Sequence, residues 1–292
     1  MITLELPQTK RRLYLPESLA ECTDQQYADA CYLIYQYQHG TLSYYDFRIE
    51  MIYKLLNLKK GKGKLVQSEV EEMDSNLFRL STFIDSFFSK DEDNSLIIKQ
   101  DYVYNHSKII RDAFRTWYGP EDAFENITFG QYLDGLNLYN MLEKDRSLEL
   151  LYRLMATFYT QRNFVTRKVE KYNAETAKQN FRHFKHVYFG RVYGFFLFFA
   201  SFQNYLFSAK VYYEGRELDL SILFSSEEGN QKEKSSIPGL GMLSIAHQIA
   251  ESGVHGTMRE LRQQNFWEII LELYDIRKRD LDYEANKKNK KE

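Results

Sequence analysis

Thr23-Asp24-Gln25-Gln26-Tyr27-Ala28-Asp29 decides the reading of this chain, because its pattern returns as Thr128-Phe129-Gly130-Gln131-Tyr132-Leu133-Asp134. Both stretches read Thr-x-x-Gln-Tyr-x-Asp. Threonine followed three residues later by glutamine is a capping box. The Thr hydroxyl accepts from the backbone N–H three residues on, and the Gln side chain reaches back to the Thr N–H. Each copy has an acidic residue ahead of it, Glu21 and Glu125, and each opens a pair of helices. Thr257-Met258-Arg259-Glu260 repeats the device near the end of the chain. The pattern is a folding device and reveals no site. It predicts a mainly α protein, a multi-helix bundle built from helical hairpins.

Outward from the first copy, Ile2, Leu4 and Leu6 and then Leu13 and Leu15 alternate on either side of Pro7. Such alternation predicts one or two short strands or an extended arm. The first helix carries Tyr27, Cys31, Ile34 and Tyr35 and stops at His39-Gly40, where glycine suits a left-handed C-cap. Ser43 starts a second helix with Phe47, Met51, Leu55 and Leu58 on one face, and the short connection makes an antiparallel hairpin. Val66 to Phe88 reads as one amphipathic helix through Val70, Met73, Leu77, Leu80 and Ile84. Asp91-Glu92-Asp93-Asn94 begins like a calcium loop, but Leu96 stands where that loop needs Gly and Tyr102 where it needs Glu. It is a polar turn.

Further helices are expected over Tyr102–Tyr118, ended by Gly119-Pro120, and over Phe129–Glu143, Ser147–Thr160, Glu170–Phe181 and Val187–Phe207. Val211 to Phe224 holds two β-prone runs around Glu214-Gly215-Arg216, which predicts a small β-hairpin at 211–224. The polar stretch 225–239 reads as a loop, and helices over Met242–Ser252 and Met258–Asn286 finish the chain. These elements suggest an N-terminal helical-hairpin unit with an extended arm over 1–118. A C-terminal unit with the aromatic core helix and the β-hairpin takes 119–292. Whether the two pack as one domain stays open.

The hydrophobic fraction of 43% and charged fraction of 27% belong to a globular chain long enough to bury a core. Its 23 Tyr and 21 Phe serve a large aromatic core first and an interface second. A net charge of −2 excludes a whole-molecule field toward nucleic acid or anionic membrane. Val192 to Phe202 carries no charge, but it is about half the roughly 20 apolar residues a membrane span needs, so it reads as the central core helix. The N-terminus lacks the regions of a signal peptide. Cys22 and Cys31, on one expected helix, stand roughly 13 Å apart, beyond disulfide reach, which suits a reducing compartment.

Chemistry-bearing residues are sparse. His183 and His186 have a spacing that can ligate metal but no evident third ligand. His247, Glu251 and His255 could share a helix face if Gly253 did not interrupt it. Pro238-Gly239-Leu240-Gly241 enters a helix without the spacing or the lysine of a phosphate loop. No serine sits in a nucleophile elbow, and neither cysteine has an obvious histidine partner. The sequence thus nominates no catalytic, cofactor-binding or metal residue and no cofactor. Lys59, Lys60, Lys62 and Lys64 alternate with Gly61 and Gly63, and Lys287, Lys288, Lys290 and Lys291 close the chain. They read as a solvated loop and tail, with phosphate contact as the sharper alternative.

Leu15-Pro16-Glu17-Ser18-Leu19-Ala20-Glu21-Cys22-Thr23-Asp24-Gln25-Gln26-Tyr27 resembles an opening found in bacteriophage and prophage proteins of the tail-assembly region. Glu125 to Tyr132 followed by Leu148–Tyr159 is similar to the same theme, and Asn265 to Leu273 with Asp282-Tyr283-Glu284 is similar to the closing helix of such proteins. The resemblance implies a non-enzymatic protein of phage particle morphogenesis, a tail assembly chaperone or a structural or adaptor component. The implied partners are other phage structural proteins (tail, tape-measure or neck components), with homo-oligomerisation open and no membrane. The implied place is the host cytoplasm, with incorporation into the virion open. The alternative is a nucleic-acid-binding protein using the Lys/Gly loop and the basic tail.

Overall fold

The computed structural model describes residues 1–6, 11–58, 67–111, 115–163, 165–208, 210–213, 215–223 and 256–289. It is mainly α, with small antiparallel β pairs. The chain divides into two compact units. The first takes Met1–Ser107 and His183–Ser201, the second Lys108–Arg182 and Phe202–Glu292. A single cut at 118 has no place for the return of 183–201.

In the first unit the alternating leucines form an antiparallel hairpin, β1 (Ile2–Leu6) and β2 (Arg11–Leu15), with Ile2 opposite Leu15 and Leu4 opposite Leu13. Pro16 then turns the chain into a 3₁₀ turn, Leu19–Glu21, that buries Leu19. Helix α1 (Asp24–Gln38) follows from the Thr23 cap and buries Tyr27, Ala28, Ala30, Cys31, Leu33 and Ile34. It ends at His39, with Gly40 at φ +70°. Ser43 accepts from the Asp46 N–H and starts α2 (Tyr44–Leu55), which buries Phe47, Met51, Ile52 and Leu55. Then come α3 (Gln67–Ser81), a 3₁₀ stretch Thr82–Phe87, and a hairpin of β3 (Phe88–Lys90) with β4 (Leu96–Ile98) around the polar turn at 91–95.

In the second unit β5 (Ile109–Arg111), β6 (Thr116–Tyr118) and β7 (Thr160–Gln161) form a sheet in that order. Helices α4 (Phe129–Lys144) and α5 (Leu148–Phe158) make the second hairpin, and α6 (Ala174–Phe184) follows. Helix α7 (Phe189–Ser208) contains the division between the units, its residues from Phe202 belonging to the second. A hairpin of β8 (Lys210–Tyr213) and β9 (Arg216–Asp219) turns at Gly215, φ +77°, as Glu214-Gly215-Arg216 predicts. The short α8 (Met258–Leu261) and the long α9 (Phe266–Asn289) close the unit. Its core is aromatic: Phe124 lies 4.5 Å from Phe202 and Tyr132 4.4 Å from Phe266, ring centre to ring centre. Each such pair adds about 0.5–1.5 kcal/mol beyond area burial.

Four expected helices are corrected. The described residues of Tyr102–Tyr118 are not helical. Ser107 N–H donates to Asn105 Oδ1, a local bond that competes with helix. Beyond it Ile110 and Trp117 pair across β5 and β6 and are both buried, while Ile109 is exposed, a period of two. The helix expected over Val66–Phe88 stops at Ser81, because the Ser81 and Thr82 hydroxyls donate back to the Phe78 and Arg79 carbonyls and tighten the last turn. The helix expected from Glu170 starts at Ala174, where Asn173 Oδ1 accepts from the Thr176 N–H and caps it. Met258–Asn286 is two helices. Asn265 Oδ1 accepts from the Trp267 N–H and begins the second, while its Nδ2 donates to the Glu125 carbonyl. The helix expected over Met242–Ser252 and the loop 225–239 lie outside the described residues.

Candidate functional site

The repeated heptapeptide performs the same tasks in both units. Thr23 and Thr128 each accept from the N–H three residues on, and their own N–H groups donate to Gln26 Oε1 (2.8 Å) and Gln131 Oε1 (3.0 Å). Both capping boxes are complete, as is that of Thr257 with Glu260. Each glutamine also spends its amide N–H₂ on the end of its partner helix, Gln26 on the Leu55 carbonyl (2.5 Å) and Gln131 on the Thr157 carbonyl (3.2 Å). One side chain therefore caps the first helix and ties down the second.

The tyrosines also correspond. Tyr27 is buried and donates to the Gly194 carbonyl at 2.7 Å; Tyr132 is buried and donates to Gln203 Oε1 at 3.0 Å. Both acceptors are on α7. At Gly194 an added Cβ would lie 2.7 Å from Tyr27 Cε1, and at Gly190 only 2.0 Å from the Ala28 carbonyl oxygen, so this stretch of α7 needs glycine. Burial lifts the phenols of Tyr27, Tyr102 and Tyr132 above their ordinary range. The aspartates correspond too: Asp29 accepts from Tyr188 (2.9 Å) and Asp134 from Tyr172 (2.6 Å) and Arg262 (2.6 Å). Burial first, and the adjoining carboxylate second, hold Tyr188 and Tyr172 protonated.

The repeat reaches further than the motif. In each unit a β-hairpin, a Pro-Glu step (Pro16-Glu17, Pro120-Glu121) and a 3₁₀ turn precede the capping box. In each an arginine of the second hairpin helix lies over a phenylalanine of the third, Arg48 over Phe78 at 5.7 Å and Arg153 over Phe181 at 5.3 Å. No family model, curated protein or solved structure matches this chain.

The sequence-nominated groups do not assemble. The helix that holds His183 stops at Phe184, so His186 leaves its face. Among the described residues no group of three or more His, Cys, Asp or Glu is placed to hold a metal ion. His247, Glu251, His255, the Pro238–Gly241 entry, Lys59–Lys64, Lys290 and Lys291 lie outside the described residues. Cys22 and Cys31 are buried free thiols; burial pushes Cys22 up to about 12 and Cys31 well above its usual value, so neither is a ready nucleophile. In a groove of about 590 Å³ in the second unit Lys108 sits between Asp122 and Glu121, and Arg162 lies over the Tyr118 ring at 4.4 Å. No helix among the described residues is long and apolar enough to cross a membrane.

One surface departs from this self-sufficiency. α3 and α6 are the third helices of the two repeats in chain order, yet α6 buries Ala177 and Phe181 to 9% exposure while α3 leaves Met73 40% and Phe78 50% exposed. Among the described side chains of α3 only Ser81 is buried. Val70, Met73, Leu77 and Leu80 fall at helical spacing along it, and Tyr45, 53% exposed, stacks on Phe78. The surface is held firmly from beneath. Tyr44 donates to Asp85 at 2.6 Å, and Arg48 reaches Ser81 Oγ at 3.0 Å. Burial, then the Asp85 carboxylate, keeps Tyr44 protonated. Sequence periodicity found the stripe on α3; its exposure is set by what surrounds it.

Proposed function

We propose that this chain is a non-enzymatic protein-binding factor of phage particle morphogenesis, acting as a tail assembly chaperone or as a structural or adaptor component. The observation that carries the protein-binding part is the apolar face of α3, where Met73 and Phe78 are exposed and Val70, Leu77 and Leu80 are half-buried, while the third helix of the second repeat buries Ala177 and Phe181. Clustered exposed apolar side chains on a firmly supported helix mark interaction surfaces. The phage assignment is supported by the sequence resemblance around Leu15–Tyr27 and Glu125–Tyr132. The partners are then tail, tape-measure or neck components met in the host cytoplasm.

The test is capture from the native source at moderate salt with mass-spectrometric identification. Specific recovery of tail, tape-measure or neck proteins, reproduced with the purified components, is the expected result. Recovery of nucleic acid, weakening steeply with salt and lost when Lys59, Lys60, Lys62 and Lys64 are neutralised, would replace it with the nucleic-acid reading.

A further inference from the structure

From the face of α3 we infer that it is a docking site for a basic amphipathic helix of a partner protein; this deepens the protein-binding reading above and rests on it. Three features select that occupant. The apolar positions Val70, Met73, Leu77 and Leu80 recur every three or four residues, so they form a straight stripe that another helix covers ridge to groove. The stripe has acidic borders: at 100° per residue Glu72 and Asp74 stand about 100° to either side of Met73, and both are exposed. Among its described side chains α3 carries Glu71, Glu72 and Asp74 against the single cation Arg79. A helix presenting leucines flanked by lysines or arginines would meet apolar with apolar and acid with base.

Charge also argues against a second copy as the occupant. Pairing α3 with itself would bring two acidic helices together, and in an antiparallel pair centred on its middle residue Asp74 would face Asp74. Like charges in apposition disfavour such a pair.

The test titrates the full chain into labelled synthetic helical peptides, each about 18 residues long, one Leu/Lys amphipathic and the other its Leu/Glu counterpart, and reads anisotropy. The expected result is saturable binding of the Leu/Lys peptide and about tenfold or more weaker binding of the Leu/Glu peptide. M73Q/L77Q, both changes at unburied positions, should weaken the Leu/Lys peptide at least about fivefold, and E72K/D74K should reverse the preference. Thermal melts of the variants show that they fold. Equal affinity for both peptides, or no effect of either variant, overturns the inference. So does sedimentation of the chain as a dimer that M73Q/L77Q disperses, since the occupant is then a second copy. Capture separates the two levels. If M73Q/L77Q recovers the same tail components as the unaltered chain, the α3 site is wrong and the protein-binding reading stands. If the unaltered chain recovers no protein, that reading is wrong, and a Leu/Lys-selective face would be left without a natural partner, overturning the site as a functional one.

Discussion

Gln131 separates two roles that a capping box normally merges, and Q131E tests them. The side chain is buried, its Oε1 accepts from the Thr128 N–H at 3.0 Å, and its Nε2 donates to the Thr157 carbonyl at 3.2 Å. Glutamate is as good as glutamine at the third position of a capping box, so Q131E retains the cap. It loses the donor to Thr157 and turns a carboxylate oxygen toward a carbonyl oxygen. A buried acceptor left without its donor costs about 1–3 kcal/mol, and more where a charge is involved. Q131E should therefore destabilise by about 2–4 kcal/mol at neutral pH, no less than Q131A, which loses the cap (about 1 kcal/mol) and the tie but buries no charge. The sign with pH is fixed. Burial beside a carbonyl raises the introduced carboxyl's folded-state pKa, so its penalty is absent below the unfolded value, about 4.3, and grows as pH rises through the folded value. Urea denaturation of both variants between pH 4 and 7, with the slope of each transition checked, measures it. If Q131E matches the unaltered chain and only Q131A falls, the tie to Thr157 has no weight.

Three further outcomes are expected. G190A should cost about 3 kcal/mol or more, since its Cβ meets backbone at 2.0 Å, while G194A should cost about 1–3 kcal/mol because a tyrosine ring can yield; differential scanning calorimetry ranks them. Burial raises the phenols of Tyr27, Tyr102 and Tyr132, so their contribution is intact below the unfolded value near 10 and is lost as pH rises above it; tyrosinate absorbance should lag free tyrosine until the helix signal in circular dichroism collapses. Y172F removes one hydrogen bond to Asp134 and should cost about 1 kcal/mol, with Arg262 still in place at 2.6 Å, as a denaturant midpoint will show.

Local chemistry made much of this legible in advance. Thr23, Thr128 and Thr257 announce three capping boxes, Ser43 a helix start, Gly40 a helix end and Gly215 a hairpin turn, because each acts on atoms within four residues of itself. The errors fall where the deciding partner is distant. Trp117 buries against Ile110 only once two strands pair, and nothing within Tyr102–Tyr118 states that pairing. The candidate surface was half visible: the stripe of α3 has the same periodicity whether covered or bare, and only the burial of Ala177 and Phe181 on α6 shows what covering looks like. Asn173 and Asn265 were the missed signals at helix starts, and both sit where an N-cap rule would have placed the boundary.

The first unit also has a history set by the order of synthesis. Tyr27 hydrogen-bonds to the Gly194 carbonyl, 167 residues later in the chain. At about 5–20 residues per second, the α1–α2 hairpin, complete at Leu55, is made roughly 7–28 seconds before Gly194, whose segment satisfies its buried tyrosine and meets Ala28. During that interval the hairpin's inner face is open, and a truncated chain ending before α7 keeps it open permanently. Translation speed through 108–182 therefore sets how long the unfinished unit is exposed to chaperones, proteases and other nascent chains.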